Sequence, residues 1–408
     1  MKKKVYLLSF FSVAVLMSCN NDDPISNDPI NLGDPVETLP PNTNYQPAFP
    51  GQTRVGSIKT QTPLQIDVIA TTIGQPWAIV ALPNGNLLVT DKKGFMQTFS
   101  ETGSLLTKVE GFPVVDDAGQ GGLLDVALDP NFSTNRIIYW TFSEPYGSGN
   151  LTSIAKGRLA NDERLIENPT VIYRAEPSYN GTLHYGSRLA FDTAGNLYAS
   201  TGERSDLVTR PQAQQLNSAL GKIVRITTDG QAVIDNPFFS QSDTRPEIYS
   251  YGHRNPQGLA FHPITHQLWE AEFGAKGGDE INFIEAGKNY GWPIISYGLE
   301  YSGQKIGEGI TQKEGMEQPV YYWDPSVSPS GIDFYTGTAI SEWQNNLFIG
   351  CLSGQHIIRL VIDGQGVKAE ERLLEDQNER FRDVFGRHPN QSLYAVTDSG
   401  KIYRISKQ

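Results

Sequence analysis

Short apolar runs that close on a polar residue or glycine recur along this chain, each behind a turn. The units are Pro83–Asp91, Asp129–Trp140, Asp192–Ser200, His262–Glu270, Trp343–Gly350 and His388–Asp398. In each, Asn, Asp, Gly or Pro marks the turn, and a run rich in Leu, Ile, Val, Tyr, Phe and Trp has the length of a strand. A second strand follows several of them, as in His356–Leu360 and Lys401–Ile405. Six such units, spaced by roughly 45 to 80 residues, predict an all-β, six-bladed β-propeller with four-stranded antiparallel blades. It would form one domain, residues 51–408. A β-sandwich also offers many strands but gives no reason for six similar turn–strand units. In a propeller the loops of every blade meet at the mouth of one channel, so residues far apart in sequence can share a site.

Composition sharpens this picture in two places. The chain of 408 residues carries 40 Gly and 25 Pro and a formal net charge of −12, which excludes a general nucleic-acid role because no basic stripe offsets the acid. A small anionic ligand stays open, since local arginines make a positive pocket in an acidic protein. The start of the chain has its own pattern. Residues 1–18 combine three lysines with an apolar run and read as a signal peptide. The sequence Leu16-Met17-Ser18-Cys19 resembles the bacterial lipoprotein box, which implies a lipid on Cys19. An ordinary secretory signal is the alternative. Residues 19–50, rich in Asn, Asp and Pro without an apolar period, read as the lipidated Cys and a disordered tether. The expected location is the bacterial cell envelope, lipid-anchored at the outer membrane, with the side it faces left open.

Candidate chemistry centres on Tyr251–Trp292. Gly252–Gly258 sets the Arg254 guanidinium beside the Asn255 carboxamide. After one strand, Gly274–Glu280 forms a glycine-rich loop with two carboxylates, which suits an oxygen-ligated hard cation. Two tight turns with Arg254 and Glu280 in structural ion pairs account for the same residues. His184 lies at a loop end flanked by glycines, where an imidazole can act as a general base near neutral pH. The other five histidines are taken as structural or surface residues. Gln120 stands between glycines, and Glu203 and Arg204 end a strand in the same blade as His184. Arg380 and Arg382 alternate with strand period and share a face, as a polycarboxylate requires; Asp383 could equally neutralise one of them. No nucleophile elbow, phosphate loop or zinc motif is present.

These residues together resemble a known family, the soluble pyrroloquinoline quinone (PQQ)-dependent sugar dehydrogenases, and more closely its aldose sugar dehydrogenases. The matching pieces include GQGGLLDVALDP from Gly119, HYGSRLAFD from His184, TGER from Thr201, YGHRNPQGLAF from Tyr251, GGDEIN from Gly277, KNYGWP from Lys288 and RFRDV from Arg380. They run in family order over nearly all of residues 51–408. The resemblance implies oxidation of aldose sugars to lactones, with hydride passing to the quinone. His184 is then the base, Glu203 its support, and Arg254 the stabiliser of developing negative charge. Gln120, Asn255, Tyr301, Ser326, Ser353, Arg380 and Arg382 match positions at the cofactor. The carbonyls of Gly274 and Ala275 match those holding the calcium on the quinone, and Glu280 and Tyr290 match a separate calcium. Two positions depart from the family: Ser353 replaces a lysine that pairs with the quinone, and Ala275 replaces the proline of glucose dehydrogenase. The electron acceptor is unassigned. Dimers occur among the glucose dehydrogenases, so a homodimer is open.

Two other functions share the fold. A calcium-dependent propeller lactonase or hydrolase would need several carboxylate or Asn ligands converging on the channel and has no use for the arginine pair. A non-catalytic ligand-binding propeller with a degenerate quinone site would tolerate Ser353 but gives no reason for His184, Arg254, Asn255 and Arg382 together.

Overall fold

Six sheets, each of four antiparallel strands, surround a central channel in the computed structural model, which describes residues 31–408. Leu32–Gln408 folds as one unit. The expected signal peptide and Cys19 lie outside the described residues. Five blades are contiguous: residues 76–109, 123–174, 189–251, 256–323 and 329–373. The sixth takes three strands from the C-terminus, Phe381–Phe385, Leu393–Thr397 and Ile402–Lys407, and its outermost strand, Leu64–Ala70, from the start of the domain. Ile66 sits opposite Ile405 in that closing pair. The first and last parts of the chain therefore hold each other, and the ring leaves no open end.

All six repeat units seen in the sequence become the second strand of a blade. Leu87–Asp91, Leu197–Thr201, Leu268–Glu272, Leu347–Cys351 and Leu393–Thr397 are buried at every residue. Both faces of such a strand are covered by neighbouring blades, so its apolar run is continuous rather than alternating. The core is the set of interfaces between blades. Trp77, Met96, Val126 and Trp140 pack between the first two, and Trp269, Ile332, Phe334 and Ile349 between the fourth and fifth.

The segment expected as a tether differs from that expectation over residues 32–50. Backbone and side-chain donors of Asn42 and Thr43 converge on the Asp324 carboxylate at 2.7 to 3.0 Å. Glu37 pairs with the largely buried Arg372 at 2.9 Å, and Arg54 donates to the carbonyls of Glu37, Leu39 and Asp324. The segment lacks an apolar period because hydrogen bonds, not apolar burial, fix it. A reading based on apolar patterning misses such a strap.

Inside the channel, Arg188 lies between two carboxylates, Asp125 at 2.9 Å and Asp383 at 3.1 Å. Its guanidinium stacks 4.3 Å from the Trp77 ring, and its Nε donates to the Gln257 carbonyl. All three charged groups are buried. One guanidinium cannot fully compensate two carboxylates, so burial pushes Asp383 up to about 7 and Asp125 upward as well. Asp383 thus serves Arg188 and the Ile79 N–H, and not Arg380 or Arg382, the role the sequence left open for it.

Candidate active site

The second strands end at one rim of the ring. The residues that directly follow them in the first, fourth, fifth and sixth blades, Lys92, Phe273, Leu352 and Asp398, line a cavity of about 480 Å³. Gln120, His184, Tyr301, Arg380 and Arg382 line it too. Five of the residues singled out from sequence thus share one space, although they span more than 260 positions. At the other end of the channel, a cavity of about 430 Å³ is walled largely by apolar residues of the innermost strands. The two cavities have no lining residue in common, and Arg188, Trp77 and Gln257 lie in the layer between them.

His184 is held from several sides. Its backbone is left-handed, at φ 48°, a conformation disfavoured for a residue with a side chain. The loop tolerates it because Gly202 packs directly beneath: a Cβ there would sit 2.2 Å from the His184 carbonyl oxygen. The His184 N–H donates to Gln120 Oε1 at 2.8 Å, which leaves the Gln120 Nε2 donor unspent among the described residues. Arg204 ties the same loop by donating to the carbonyls of Leu183 and Gly181 and stacking 4.0 Å from the Tyr185 ring. His184 Nδ1 lies 2.7 Å from Glu203 Oε1, and both side chains are buried. With Nδ1 engaged by the carboxylate, Nε2 is the free nitrogen. Burial, reinforced by the nearby Arg254 charge and opposed by Glu203, lowers the imidazole to about 4. The ring is therefore neutral at pH 7 and ready to accept a proton.

Arg254 and Asn255 sit deeper than the cavity wall. Arg254 donates from Nη1 to the carbonyls of Phe273 (3.1 Å) and Gly274 (2.5 Å), and its backbone N–H donates to Glu272. Asn255 accepts from the Gly186 N–H at 3.1 Å. Arg254 Nε and Asn255 Nδ2 are buried donors without a partner among the described residues. Orphaned buried donors are costly unless a ligand supplies acceptors, and the carbonyl oxygens of a quinone are such acceptors. Across the cavity, Arg382 grips Asp398 through Nε (2.8 Å) and Nη2 (3.1 Å), and Arg380 donates to the same carboxylate at 2.9 Å. Burial raises the Asp398 carboxyl, but the two arginines outweigh it and hold it below the usual range. The arginine wall thus fits a carboxylate-bearing cofactor.

Other expected positions lie one layer back. Ser326 accepts from the Gly277 N–H at 2.9 Å and contacts the Ala275 carbonyl, so it braces the glycine loop. Ser353 shares a 2.7 Å hydrogen bond with Ser328, and Ser328 and Leu352, not Ser353, line the cavity. Tyr290 spends its hydroxyl on the Phe283 carbonyl and the Glu285 N–H, leaving its own carbonyl as the ligand it could offer. Around Glu280 the sequence reading missed much of the cluster. Glu270 and Glu272 alternate on one strand, Glu280 and Asn282 on the next, paired in register, and His253 joins them. Burial, reinforced by Glu272, pushes Glu270 and Glu280 well above the usual carboxyl range. Glu270 Oε1 and Asn282 Oδ1 are buried acceptors without a donor among the described residues. This donor set, carboxylates and an amide oxygen crowded out of water, fits a hard cation. The Glu-Ala-Glu alternation after Trp269 was the available signal.

The family model for glucose/sorbosone dehydrogenases matches residues 73–404. The chain is 39% identical over 348 residues to the aldose sugar dehydrogenase YliI of Escherichia coli (strain K12), covering 84% of this chain and 93% of that one. The structure is similar to the apo form of the E. coli soluble aldose sugar dehydrogenase, with a TM-score of 0.81 at 39% identity over 85% of this chain and all of the other. It is also similar to the PQQ-bound aldose sugar dehydrogenase of Streptomyces coelicolor, with a TM-score of 0.67 at 29% identity over 85% of this chain and 99% of the other. A six-bladed ring, a buried His–Glu pair at its mouth and matches along nearly the whole domain lead to one conclusion: this chain belongs to the glucose/sorbosone dehydrogenase family.

Proposed function

We propose that the protein is a quinoprotein that oxidises aldose sugars to lactones with PQQ as its cofactor. The observation that carries this reading is the buried His184–Glu203 pair on the wall of a cavity that also bears Arg380 and Arg382. PQQ bound in this cavity would supply the acceptor for the hydride of the sugar's anomeric carbon. His184 Nε2 takes the proton of the anomeric hydroxyl, and Glu203 fixes the ring and stabilises its protonated form. Gln120 Nε2, Arg254 Nε and Asn255 Nδ2 offer donors to ligand oxygens, and Arg380 and Arg382 anchor carboxylate. A lactonase reading is not favoured: Asp398, the carboxylate lining the mouth cavity, is already gripped by two arginines.

Calcium is part of the proposal. One ion would sit in the acidic cluster of Glu270, Glu272, Glu280 and Asn282. Another would use the Gly274 and Ala275 carbonyls, where it must take the place of Arg254 on Gly274. Purified protein is expected to reduce a redox dye with glucose only after PQQ and Ca²⁺ are both added. Stripping calcium with a chelator should abolish PQQ uptake and lower stability by about 2.7 kcal/mol relative to calcium at a hundred times its Kd. No PQQ uptake and no dye reduction under any calcium concentration would overturn the reading.

The envelope location is likewise proposed, from the Leu16–Cys19 motif. Cys19→Ser is expected to move the protein from the membrane to the soluble fraction with its melting midpoint unchanged. Retention of the variant on membranes through a high-salt wash would rule out the lipid.

A further inference from the structure

Among the described residues, Lys92 is the cation lining the mouth cavity that makes no salt bridge of its own. Arg380 and Arg382 share Asp398, and the adjacent Lys93 is bound to Asp117. Among the described residues, the Lys92 Nζ donates to the Gly119 carbonyl alone, at 2.7 Å. Its backbone is pinned on both sides, its N–H donating to the Gln75 carbonyl and its own carbonyl accepting from Leu123. The side chain thus starts from a fixed point at the rim, in the register position that Leu352 and Asp398 occupy in their blades. Half-burial, with Arg382 nearby, lowers the ammonium below its usual range against the opposing pull of Asp398. That uncompensated cost is relieved by an anion entering the cavity.

We propose that Lys92 is a cofactor-binding residue, its ammonium pairing with a carboxylate of the quinone in place of the lysine that Ser353 replaces. The assignment rests on the reading of this cavity as the PQQ site. Ser353 cannot supply the charge, and its hydroxyl is already engaged by Ser328. With Lys92, the mouth carries three cations against Asp398, a surplus of two for a cofactor that brings three carboxylates. Without it the surplus falls to one.

The test is titration of the metal-loaded apoprotein with PQQ, read by the absorbance of bound quinone, so turnover does not enter. Lys92→Met is expected to weaken binding about tenfold to a hundredfold with an unchanged melting midpoint, and Lys92→Arg to stay within a few-fold of wild type. Lys92→Gln keeps a donor for Gly119 and removes only the charge, and it should weaken binding as the Met variant does. Added salt should erode wild-type affinity more steeply than that of either neutral variant. If wild type takes up PQQ and Lys92→Gln binds equally well, the assignment of Lys92 is wrong while the quinone reading stands. If wild type takes up none, the quinone reading falls and this proposal with it.

Discussion

Replacing His184 with Gln is expected to lower kcat by roughly two to four decades, the usual contribution of a positioned general base. PQQ affinity should stay nearly intact. The glutamine amide keeps a polar group beside Glu203, so the pocket survives while the proton acceptor is lost. The pH profile gives a second readout. The imidazole titrates near 4 because burial and the Arg254 charge outweigh Glu203. It is therefore neutral, and competent as a base, at every pH above that value. In wild type, kcat/KM should hold level from neutral pH downward and fall only as pH drops through about 4, not near 6.5. Arg254→Met removes the larger of the two arginine charges that, with burial, lower the imidazole, and should move that limb upward in pH. Wild-type turnover in the His184→Gln protein, or an acid limb that ignores Arg254, would exclude His184 as the base.

The largest effect on stability is expected from Arg188→Leu. The variant strands Asp125 and Asp383 together in a buried site, where the wild type has a shared guanidinium at 2.9 and 3.1 Å. Breaking a buried ion pair from one side costs about 3–5 kcal/mol. The pH dependence fixes the sign. A carboxyl whose folded pKa stands above its unfolded value stabilises fully below the unfolded value and loses that contribution as pH rises through the folded one. Asp383 already titrates near 7 with Arg188 present, and losing the cation pushes both carboxyls further up. The variant should therefore be weakest at and above pH 7 and recover toward wild type as pH falls to about 4. Urea melts at several pH values measure this directly. A deficit that does not shrink in acid would mean that lost packing on Trp77, rather than stranded charge, sets the cost.

How much of this was legible in the sequence depended on what each residue reports. The ring was legible because a second strand buried on both faces must be apolar throughout, and six such runs behind turns suit few folds besides a propeller. Arg380 and Arg382 were legible as a pair because strand period alone puts them on one face, and the structure gives them a common partner. That partner was not foreseen. Asp383 is nearer in sequence, but its position in the strand turns it toward Arg188, and Asp398 comes from the end of the next strand. Asp398 directly follows Leu393–Thr397 as Lys92 follows Leu87–Asp91, so its place at the rim shows only once the strand ends are known. Lys92 reads as an ordinary turn lysine until the rim register is known. Residues 32–50 were misjudged for a different reason: Asn42 and Thr43 act through one distant carboxylate, and sequence spacing carries no trace of a partner about 280 positions away.

Arg188, stacked on Trp77 and bonded to the Gln257 carbonyl, stands between the mouth and the far cavity, which have no lining residue in common. With that layer in place, sugar and lactone would share the mouth as their doorway. Exchange at a shared doorway is sequential: the lactone departs before the next sugar enters. Lactone then competes with sugar for an empty mouth.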